Sequence, residues 1–584
     1  MRNIHFGSVY HMPWLEYRYA LPDGSVCLRL QTGRDEFTKV EARVTSNYDM
    51  PEFFLKAHVY PMQPVAQDEW HTWYQVTFMP HDRRLKYLFV LQSDEQVFKL
   101  DASGLHCGAD YPEDVSEAFA FAYAYPTEPT PQWARGCVGY EIFPDRFRRG
   151  EGSQTDETLE PWTSDRVQNE YRFGGNLRGI IEAVPYLHDL GVEMVYTTPL
   201  FLSDTSHRYN TFDYYQVDPL LGTNEDFETL CKEAAKYGIG IVLDGVFSHT
   251  GSDSLYFNRY GRYDSLGAYQ STESPYYPWY TFEQYPDRYR TWWGFDTLPA
   301  VNKENADYQR YLLDPEEGIL PRWVKKGACG WRLDVVDELP MPLVSAMRRA
   351  VKQADQEAVL LGEVWEDASN KVSYGALRSY CLGDSLDSVM NYPLRRAVID
   401  FFTGKCDAQQ LRRVILHQQE VYPAPFYYSL MNVLGSHDRV RILNAMAGYD
   451  QEGIAQMDRA EAAHIRLTPE QREAAQAKVL EAFRLLCALP GAPTVYYGDE
   501  LGMEGMADPW NRAPMAWDKG DKAMRRALKK ILQARQAKPM LQTGFLSVDA
   551  PDADTLIARR YAVKGRDVFG KPLGGRAVTV KISR

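Results

Sequence analysis

The sequence lacks any long apolar segment. No stretch approaches the ~18 consecutive apolar residues of a membrane-spanning helix, and the opening MRNIHFGSVYHMPWLEYRY contains no apolar core of a secretory signal. Its eight cysteines are scattered singly, without a C-x-x-C pair or a compact framework. This spacing argues against a disulfide scaffold and against a structural zinc site. We therefore expect a soluble, cytoplasmic protein whose cysteines are reduced.

Basic residues are also fewer than acidic ones. The chain has 65 Lys plus Arg against 79 Asp plus Glu, a formal net charge of −14, which argues against partners such as nucleic acid or an anionic membrane. Aromatic side chains are abundant, with 39 Tyr and 13 Trp. Their flat faces suit both sugar rings and ordinary cores, so composition leaves both open. At 584 residues, the chain is about four times the ~150 residues of a typical domain, so several domains are expected.

Residues 1–124 are predicted to form an N-terminal β-sandwich. Short β-rich runs such as VCLRLQT (26–32), WYQVTF (73–78) and KYLFVLQ (86–92) alternate with turn-rich stretches. Within this domain, Trp70, Trp73 and Tyr74 either stack on a glucan or fill the core, and we favour the core. The proline-rich segment 125–136 is predicted to be a stiff linker.

Beyond the linker, strand and helix patterns alternate, which indicates parallel strands with helical crossovers. Eight strand candidates occur at 137–143, 194–199, 240–247, 330–336, 358–365, 386–392, 429–435 and 492–498. This is the count of a (β/α)8 TIM barrel, an α/β fold, over residues 137–540. The long gap after strand 3 predicts an inserted subdomain at about 250–302. Residues 541–584 predict a short C-terminal β appendage.

The helix patterns between these strands carry terminal signals. The pattern LRGIIEAVPYLHDLG (177–191) is amphipathic. In NEDFETLCKEAAKYG (224–238), Asn224 is predicted as the N-cap and Gly238 as the stop.

Acidic residues stand at the carboxyl ends of three predicted barrel strands. Asp334 follows strand four, Glu363 strand five and Asp438 strand seven, and in TIM barrels these ends carry the working residues. A single acidic residue at a strand end is more often a helix cap or a hydrogen-bonded structural group. Three acidic residues at the same end of one barrel favour a catalytic role instead. Carboxylates that lie close together raise the pKa of one of them, so that a protonated acid stands beside an ionised one at neutral pH. Cleavage of an acetal requires these two groups, one to protonate the leaving oxygen and one to stabilise or capture the anomeric carbon. Arg332, on the same face as Asp334, is expected to keep that carboxylate ionised.

The segments around these acids resemble signature segments of the alpha-amylase family of glycoside hydrolases. They read LDGVFSHTG (243–251), GWRLDVVDE (330–338), LLGEVW (360–365) and LGSHDRVR (434–441). Further similar stretches, including YEIFPDRF (140–147) and SHRYNTFDYYQVDP (206–219), extend the resemblance over about 135–517. The best match is the subgroup of neopullulanases, cyclomaltodextrinases and maltogenic amylases, whose members also carry a β-sandwich before the barrel.

The resemblance implies a role for each matching residue. Asp334 corresponds to the nucleophile, Glu363 to the general acid/base, and Asp438 to the carboxylate that grips sugar hydroxyls, with retention at the anomeric carbon. The residues implied to bind substrate are Tyr209, Asp244, His249, Arg332, Glu338, Trp365, His437, Asp508 and Arg512. The expected substrates are α-1,4-linked maltooligosaccharides, cyclodextrins or pullulan, hydrolysed with some transglycosylation.

The sequence departs from the family at the expected calcium sites. Ser248 stands where an Asn helps to build a calcium site, and Arg149, in RRGEGSQTDE (148–157), stands at an expected ligand position. A guanidinium offers no oxygen and repels a cation, so we expect no metal and no other cofactor.

Other readings stay open. They are a pullulanase-type debranching enzyme, a glucanotransferase on the same scaffold, and a catalytically idle glucan-binding homologue. The resemblance also implies a homodimer formed through the N-terminal domain.

Overall fold

The computed structural model describes residues 4–13, 17–21, 23–47, 57–94, 96–108, 117–123, 130–153, 158–163, 167–449 and 459–584. The chain forms two compact units. The first comprises Met1–Pro129, Ser369–Asp384 and Leu416–Ala424, and the second comprises Thr130–Ala368, Ser385–Ile415 and Pro425–Arg584. The predicted linker begins outside the described residues, and its described part includes a short turn of helix at Gln132–Ala134. The domain limits drawn from the sequence stay predictions.

The first unit contains two antiparallel sheets. Their strands are β1 (Arg18–Ala20), β2 (Val26–Gly33), β3 (Lys39–Ser46), β4 (His58–Pro61), β5 (Gln63–Gln67), β6 (His71–Phe78), β7 (Arg84–Ser93), β8 (Gln96–Asp101), β9 (Gly104–Cys107) and β10 (Phe119–Ala122). One sheet has the order β1-β2-β6-β5, and the other has the order β4-β3-β7-β8-β9 with β10 beside β7. Apolar residues alternate along the strands and face the other sheet, as Leu28 and Leu30 of β2 and Tyr87 and Phe89 of β7 show.

This core confirms the predicted sandwich. Of the three aromatic residues assigned to it, Tyr74 packs against the cluster and Trp73 is half-buried. Trp70 was assigned wrongly, because it is 74% exposed. It lies in the turn before β6, where its backbone N–H donates to Asp68.

The remaining strands follow in the rest of the chain. They are β11 (Gly139–Ile142), β12 (Met194–Thr197), β13 (Phe201–Leu202), β14 (Asp213–Val217), β15 (Gly240–Gly245), β16 (Phe282–Gln284), β17 (Arg288–Tyr289), β18 (Thr291–Trp292), β19 (Phe295–Pro299), β20 (Gly330–Leu333), β21 (Val359–Gly362), β22 (Val372–Ser373), β23 (Ala376–Leu377), β24 (Ser388–Val389), β25 (Met431–Val433), β26 (Ala492–Tyr496), β27 (Phe545–Asp552), β28 (Thr555–Tyr561) and β29 (Val578–Ser583).

Eight of these strands form one parallel sheet that closes on itself. The order is β24-β21-β20-β15-β12-β11-β26-β25. A parallel bridge between Met390 and Met431 joins the two ends, and the Asn391 N–H donates to the Met431 carbonyl at 2.8 Å. All eight predicted strands are present, and the (β/α)8 barrel is confirmed.

Helices connect the barrel strands. The α-helices in the described part of the chain are Pro144–Phe147, Leu177–Leu190, Asn224–Lys236, Ala306–Leu313, Ile319–Lys325, Met341–Ala354, Tyr392–Thr403, Ala408–Val421, Ala424–Tyr427, Ile442–Met446, Arg459–His464, Pro469–Ala488, Lys522–Gln536 and Pro539–Thr543. In the described residues, no helix is both long and apolar enough to cross a bilayer.

The ends of two helices test the predicted caps. Asn176 caps the helix Leu177–Leu190, and Gly191 ends it in the left-handed conformation. The prediction of Asn224 as an N-cap is wrong by one residue. Thr223 is the cap, because it forms a reciprocal capping box with Asp226, and Asn224 is the first helical residue.

The long connection between β15 and β20 contains the predicted insertion. Its aromatic residues form a packed group in which Tyr256 contacts Trp279 and Tyr311. The hairpin β18–β19 ends this segment and presents an exposed Trp293. The predicted C-terminal appendage is the antiparallel sheet β27-β28-β29, and Arg560 of β28 fastens it by donating to the carbonyls of Ala488 and Gly544.

Candidate active site

One guanidinium connects three carboxylates at the carboxyl ends of the barrel strands. Arg332 of β20 lies opposite Asp244 of β15 in the strand register. Its Nη1 is 2.9 Å from Asp244 Oδ1 and 2.8 Å from Asp334 Oδ1, and its Nη2 is 2.8 Å from Glu363 Oε2. The Arg332 side chain is 0% exposed. A buried cation shared by three acids keeps the carboxylates of Asp334 and Glu363 close to each other.

The backbone next to Asp334 is strained. Asp334 follows the last residue of β20, and its N–H donates to the Gly245 carbonyl at 3.0 Å. The next residue, Val335, has φ +38°, a left-handed conformation that costs a β-branched residue roughly 1–3 kcal/mol. In this conformation the Val335 N–H donates to Glu363 Oε2 at 2.8 Å. The turn therefore orients Glu363 relative to Asp334.

Burial dominates the electrostatics of this pair. Burial raises the pKa of Asp334 well above its usual range, the Arg332 guanidinium opposes this rise, and the charge on Glu363 adds to it. Burial likewise raises the pKa of Glu363, against Arg332 and with a contribution from Asp438. Because the two carboxylates titrate together, the pair retains one proton more readily than isolated acids would. Glu363 Oε2 already accepts from the Val335 N–H, which leaves Oε1 for that proton.

Asp438 has a different environment. Its Oδ1 is 3.2 Å from Arg512 Nη2, its Oδ2 is 3.2 Å from His437 Nε2, and its side chain is 29% exposed. Burial raises the pKa of Asp438, but His437 and Arg512 outweigh it, and the net pKa is lowered. Asp438 therefore ionises more readily than an isolated aspartic acid, unlike Asp334 and Glu363. Arg512 Nη1 also pairs with Asp508 at 2.9 Å, so the predicted pair Asp508 and Arg512 lies beside Asp438.

A chain of hydrogen bonds connects His437 to the Arg332 cluster. His437 Nε2 lies 2.5 Å from the Tyr209 hydroxyl, which donates to Asp244 Oδ2 at 2.9 Å. The Tyr209 ring also stacks on the His437 ring, with centroids 5.4 Å apart. Asp244 Oδ2 accepts a second hydrogen bond from the Tyr196 hydroxyl at 2.5 Å. The predicted residues Tyr209, Asp244 and His437 thus belong to one buried network.

His249 lies next to this network. Its Nε2 is 3.1 Å from the Tyr209 carbonyl, and its Nδ1 is 2.9 Å from the Ser248 hydroxyl. Burial lowers the pKa of His249 to about 4, so its ring is neutral at pH 7. The Trp292 ring covers it at a centroid distance of 4.9 Å.

Aromatic side chains contact Glu338 and Trp365, two of the residues predicted to bind substrate. The Trp293 indole N–H donates to Glu338 Oε1 at 3.1 Å, and Trp293 is stacked on Trp292. Trp365 is stacked on Tyr392 with centroids 4.3 Å apart, and the Arg439 guanidinium lies 3.9 Å from the Trp365 ring centroid. These pairs provide flat apolar surfaces of the kind that sugar rings contact.

Several residues of the network were not predicted from the sequence. Glu141, in the middle of β11, accepts from both the backbone N–H and Nδ1 of His437. An acid inside the buried strand GYEI was the available signal for Glu141. No comparable signal in the sequence pointed to Tyr196, Arg439 and Tyr392, because their partners lie far away along the chain.

The expected calcium position in the loop at 148–157 does not fit a cation. Residues 154–157 lie outside the described part of the chain. Arg149 donates to the carbonyls of Phe173 and Glu160 at 2.6 and 2.8 Å, so a guanidinium already binds these two oxygens. In the described ranges, no group of three or more His, Cys, Asp or Glu residues could hold a metal ion.

Three carboxylates lie around one buried arginine at the carboxyl ends of a closed parallel barrel, and a pair of carboxyl groups is the equipment that most glycoside hydrolases use. The family described as "Alpha amylase, catalytic domain" matches residues 141–547. The family described as "Alpha amylase, N-terminal ig-like domain" matches residues 5–125. The chain belongs to the alpha-amylase family of glycoside hydrolases.

Individual relatives agree with this assignment. An amylopullulanase of Thermoanaerobacter thermohydrosulfuricus is 31% identical over 96% of this chain and 40% of its own length. Neopullulanase 2 of Thermoactinomyces vulgaris is 30% identical over 92% of this chain and 85% of its own length. A solved cyclomaltodextrinase structure has a TM-score of 0.67 at 30% identity, covering 95% of this chain and 89% of that one. The chain thus spans less than half the length of the amylopullulanase that it matches.

Proposed function

We propose that the protein hydrolyses α-1,4-glucosidic bonds of maltooligosaccharides, cyclodextrins or pullulan with retention of configuration. The observation that carries this proposal is the single Arg332 guanidinium, which pairs with Asp334 through Nη1 and with Glu363 through Nη2. Retaining enzymes place their two carboxyl groups about 5–5.5 Å apart, whereas inverting enzymes leave room for a water between them. Two acids on one guanidinium fit the shorter spacing.

In this proposal, Glu363 donates its proton to the glycosidic oxygen while a carboxylate oxygen of Asp334 bonds to the anomeric carbon. The bond to the leaving oxygen breaks, and a covalent glycosyl-enzyme forms. Glu363, now ionised, removes a proton from water, whose oxygen bonds to the anomeric carbon and releases Asp334. Two displacements at the same carbon restore its configuration.

The surrounding residues suit the substrate side of this reaction. Asp438 is ionised and accepts hydrogen bonds, so it fits two sugar hydroxyls at the cleaved residue. His437 orients this carboxylate, and the Tyr209 ring stacks on the His437 ring. Trp293 with Glu338, and Trp365 with Arg439, present surfaces for the leaving or accepting sugar. An acceptor held there in place of water yields transglycosylation.

Similarity to amylopullulanases favours a second candidate, cleavage of α-1,6 bonds. A glucanotransferase differs only in which acceptor attacks the glycosyl-enzyme. An idle glucan-binding protein is disfavoured, because Asp334, Glu363 and Asp438 are all present. Product profiles from maltotriose, β-cyclodextrin and pullulan, measured in parallel, distinguish these activities. Cleavage of pullulan to maltotriose alone, with no action on cyclodextrin, would replace the first candidate by the second.

The proposal also includes the domain limits and a homodimer. The limits at 124, 136 and 540, and a homodimer formed through the N-terminal sandwich, rest on the sequence. Limited proteolysis is expected to cut within 125–136, and sedimentation is expected to give a dimer at micromolar concentration. A monomer under those conditions would contradict the dimer.

A further inference from the structure

The connection between barrel strands β21 and β24 is divided between the two units of the chain. Glu363 and Trp365 stand just beyond the end of β21, and the chain returns to the barrel as β24. Residues 369–384 of this connection belong to the unit that contains the sandwich, and the residues on either side of them belong to the unit that contains the barrel. The sandwich unit thus includes the middle of a barrel loop whose first residues are predicted site residues.

Arg83 of the sandwich holds the last part of this segment. Its carbonyl accepts from the Tyr123 N–H at 3.1 Å, beside the pairing of β7 with β10. Its Nη1 donates to the Leu382 carbonyl at 2.5 Å, and its Nη2 is 3.2 Å from Asp384 Oδ2. Gly383 turns the chain between these two acceptors with φ +90°, which glycine adopts without strain. One guanidinium, anchored in the sandwich, therefore fixes this turn through two charge-assisted hydrogen bonds.

The rest of the segment is also held. Arg84, the first residue of β7, donates from Nη1 to the Arg378 carbonyl at 3.4 Å. Arg378 in turn donates from Nε to the Ser373 hydroxyl at 2.7 Å, within the hairpin β22–β23. The side chains of Tyr380 and Leu382 are buried. Residues 369–384 are therefore ordered by the unit that contains the sandwich, because buried side chains and bonded carbonyls limit local opening.

Both ends of the connection lead to the leaving-group side of the proposed site. At its start, three residues separate Trp365 from Ser369, and Trp365 is stacked on Tyr392. At its end, the Asp387 N–H donates to the Leu360 carbonyl at 2.8 Å, which brings the chain back beside β21. A displacement of residues 369–384 therefore reaches Trp365 through a short stretch of chain.

Glu363 depends less on this segment. It is fixed by the Arg332 guanidinium and by the Val335 N–H, both at 2.8 Å from Oε2, and neither residue belongs to the connection. Loss of the anchor at Arg83 should therefore disturb the surface for the leaving sugar and spare the pair of acids. This difference separates a positioning role from a contribution to stability alone.

We propose that Arg83 is a positioning residue for the leaving-group side of the active site. By anchoring residues 369–384 in the sandwich unit, it holds Trp365 where a sugar leaving group contacts the indole. The inference rests on the proposed function, which assigns Trp365 to the leaving or accepting sugar. It gives the sandwich an influence on substrate handling that acts through the continuous chain.

The test compares two substrates that share a maltosyl group and differ in the leaving group. Maltotriose releases a sugar, whereas α-maltosyl fluoride releases fluoride, which needs no contact with Trp365. Arg83→Ala is expected to lower kcat/KM for maltotriose about ten-fold, since small displacements of positioning groups are costly, and to leave kcat/KM for α-maltosyl fluoride unchanged. Arg83→Lys keeps the charge but not the two-pronged geometry, so it should restore part of the loss.

Arg29→Ala is the matched control, because Arg29 of β2 donates to Gln75 inside the sandwich. It should not change the ratio of the two kcat/KM values. Asp384→Ala removes only the half-exposed partner of Arg83, so it serves if Arg83→Ala does not fold, and it should shift the ratio in the same direction by less. An equal loss for both substrates in Arg83→Ala would overturn the positioning role.

Hydrogen exchange measured by mass spectrometry separates this inference from the proposed function, because it needs no substrate. Peptides covering residues 363–384 should exchange faster in Arg83→Ala than in the wild type, and at the wild-type rate in Arg29→Ala. A wild-type protein that cleaves neither substrate would refute the proposed function, and faster exchange at residues 363–368 would then retain the anchor. Unchanged exchange there in Arg83→Ala would overturn the inference in either case.

Discussion

Glu141 Oε1 accepts two hydrogen bonds from His437, one from its backbone N–H at 3.0 Å and one from Nδ1 at 2.7 Å. This arrangement fixes the ring so that Nε2 faces Tyr209 and Asp438. Burial lowers the pKa of His437, but Asp438 and Glu141 outweigh it, and the net pKa is raised. The charged form of His437 is therefore stabilised relative to that of a free imidazole, and an imidazolium donates from both nitrogens.

The first prediction concerns this carboxylate. Glu141→Gln removes one of the two charges that raise the pKa of His437, so His437 is expected to lose its proton at lower pH than in the wild type. The alkaline limb of the pH profile of kcat/KM should move to lower pH, and activity near pH 7 should fall because a larger fraction of His437 is then neutral. Glu193→Gln is the control, since this carboxylate binds the Val138 N–H at the start of β11. An unchanged profile in Glu141→Gln would show that His437 is neutral.

The second prediction concerns Trp293, which is 71% exposed and donates to Glu338. Trp293→Ala should change the free energy of unfolding by less than about 0.5 kcal/mol, as for most surface substitutions. Because the indole offers a surface for an accepting sugar, transglycosylation from concentrated maltotriose should fall relative to hydrolysis. Chromatography of the products gives this ratio. Phe295→Ala, on the same hairpin and 55% exposed, is the control, and an equal fall in both variants would argue against a specific role of Trp293.

The third prediction concerns Arg149, whose guanidinium binds two backbone carbonyls. Removing hydrogen bonds from a charged group typically costs about 1.5–3 kcal/mol, so Arg149→Ala should lower Tm measurably. Chelator should leave the Tm of the wild type unchanged. Arg178→Ala, which removes an exposed ion pair with Glu182, should cost at most about 1 kcal/mol. A Tm that falls in chelator and recovers with calcium would contradict this account.

The fourth prediction concerns stability and pH. Burial raises the pKa of Asp499 to about 7, with Arg441 opposing and Glu500 adding to the shift. Because the folded state binds this proton more tightly than the unfolded state, the stability it contributes is full below the unfolded pKa and is lost as pH rises toward 7. Asp499→Asn cannot ionise, so its Tm should change less than that of the wild type between pH 4 and pH 8. An identical change in both proteins would refute this.

The sequence predicted the barrel well because its strands are short apolar runs that end in polar residues. The strands themselves are shorter than predicted. In the candidate 386–392, only Ser388–Val389 pairs as a strand, since Asn391 already caps the following helix. A run of apolar residues indicates where a strand lies, but the ladder ends where the backbone turns toward the barrel mouth.

The motifs predict the three acids and the nine substrate-binding residues, and these roles stay predictions, whereas the connections between the residues could not be predicted from the sequence. That Glu141 orients His437, and that Arg439 lies against Trp365, depends on residues far apart in the chain. The left-handed backbone conformation of Val335 could not be predicted either, because valine disfavours that conformation and only the surrounding fold imposes it. Trp70 shows the converse, since a large aromatic residue in a β-rich segment is no evidence of burial.

The central claim is that Asp334 and Glu363 act as nucleophile and acid/base across the guanidinium of Arg332. The most direct test incubates Glu363→Gln with α-maltosyl fluoride, whose leaving group needs no acid, and analyses the peptides by mass spectrometry. The account predicts a maltosyl adduct on the peptide that contains Asp334, and no adduct in Asp334→Asn. An adduct on another residue, or hydrolysis by Glu363→Gln that gives the inverted sugar without an adduct, would contradict it.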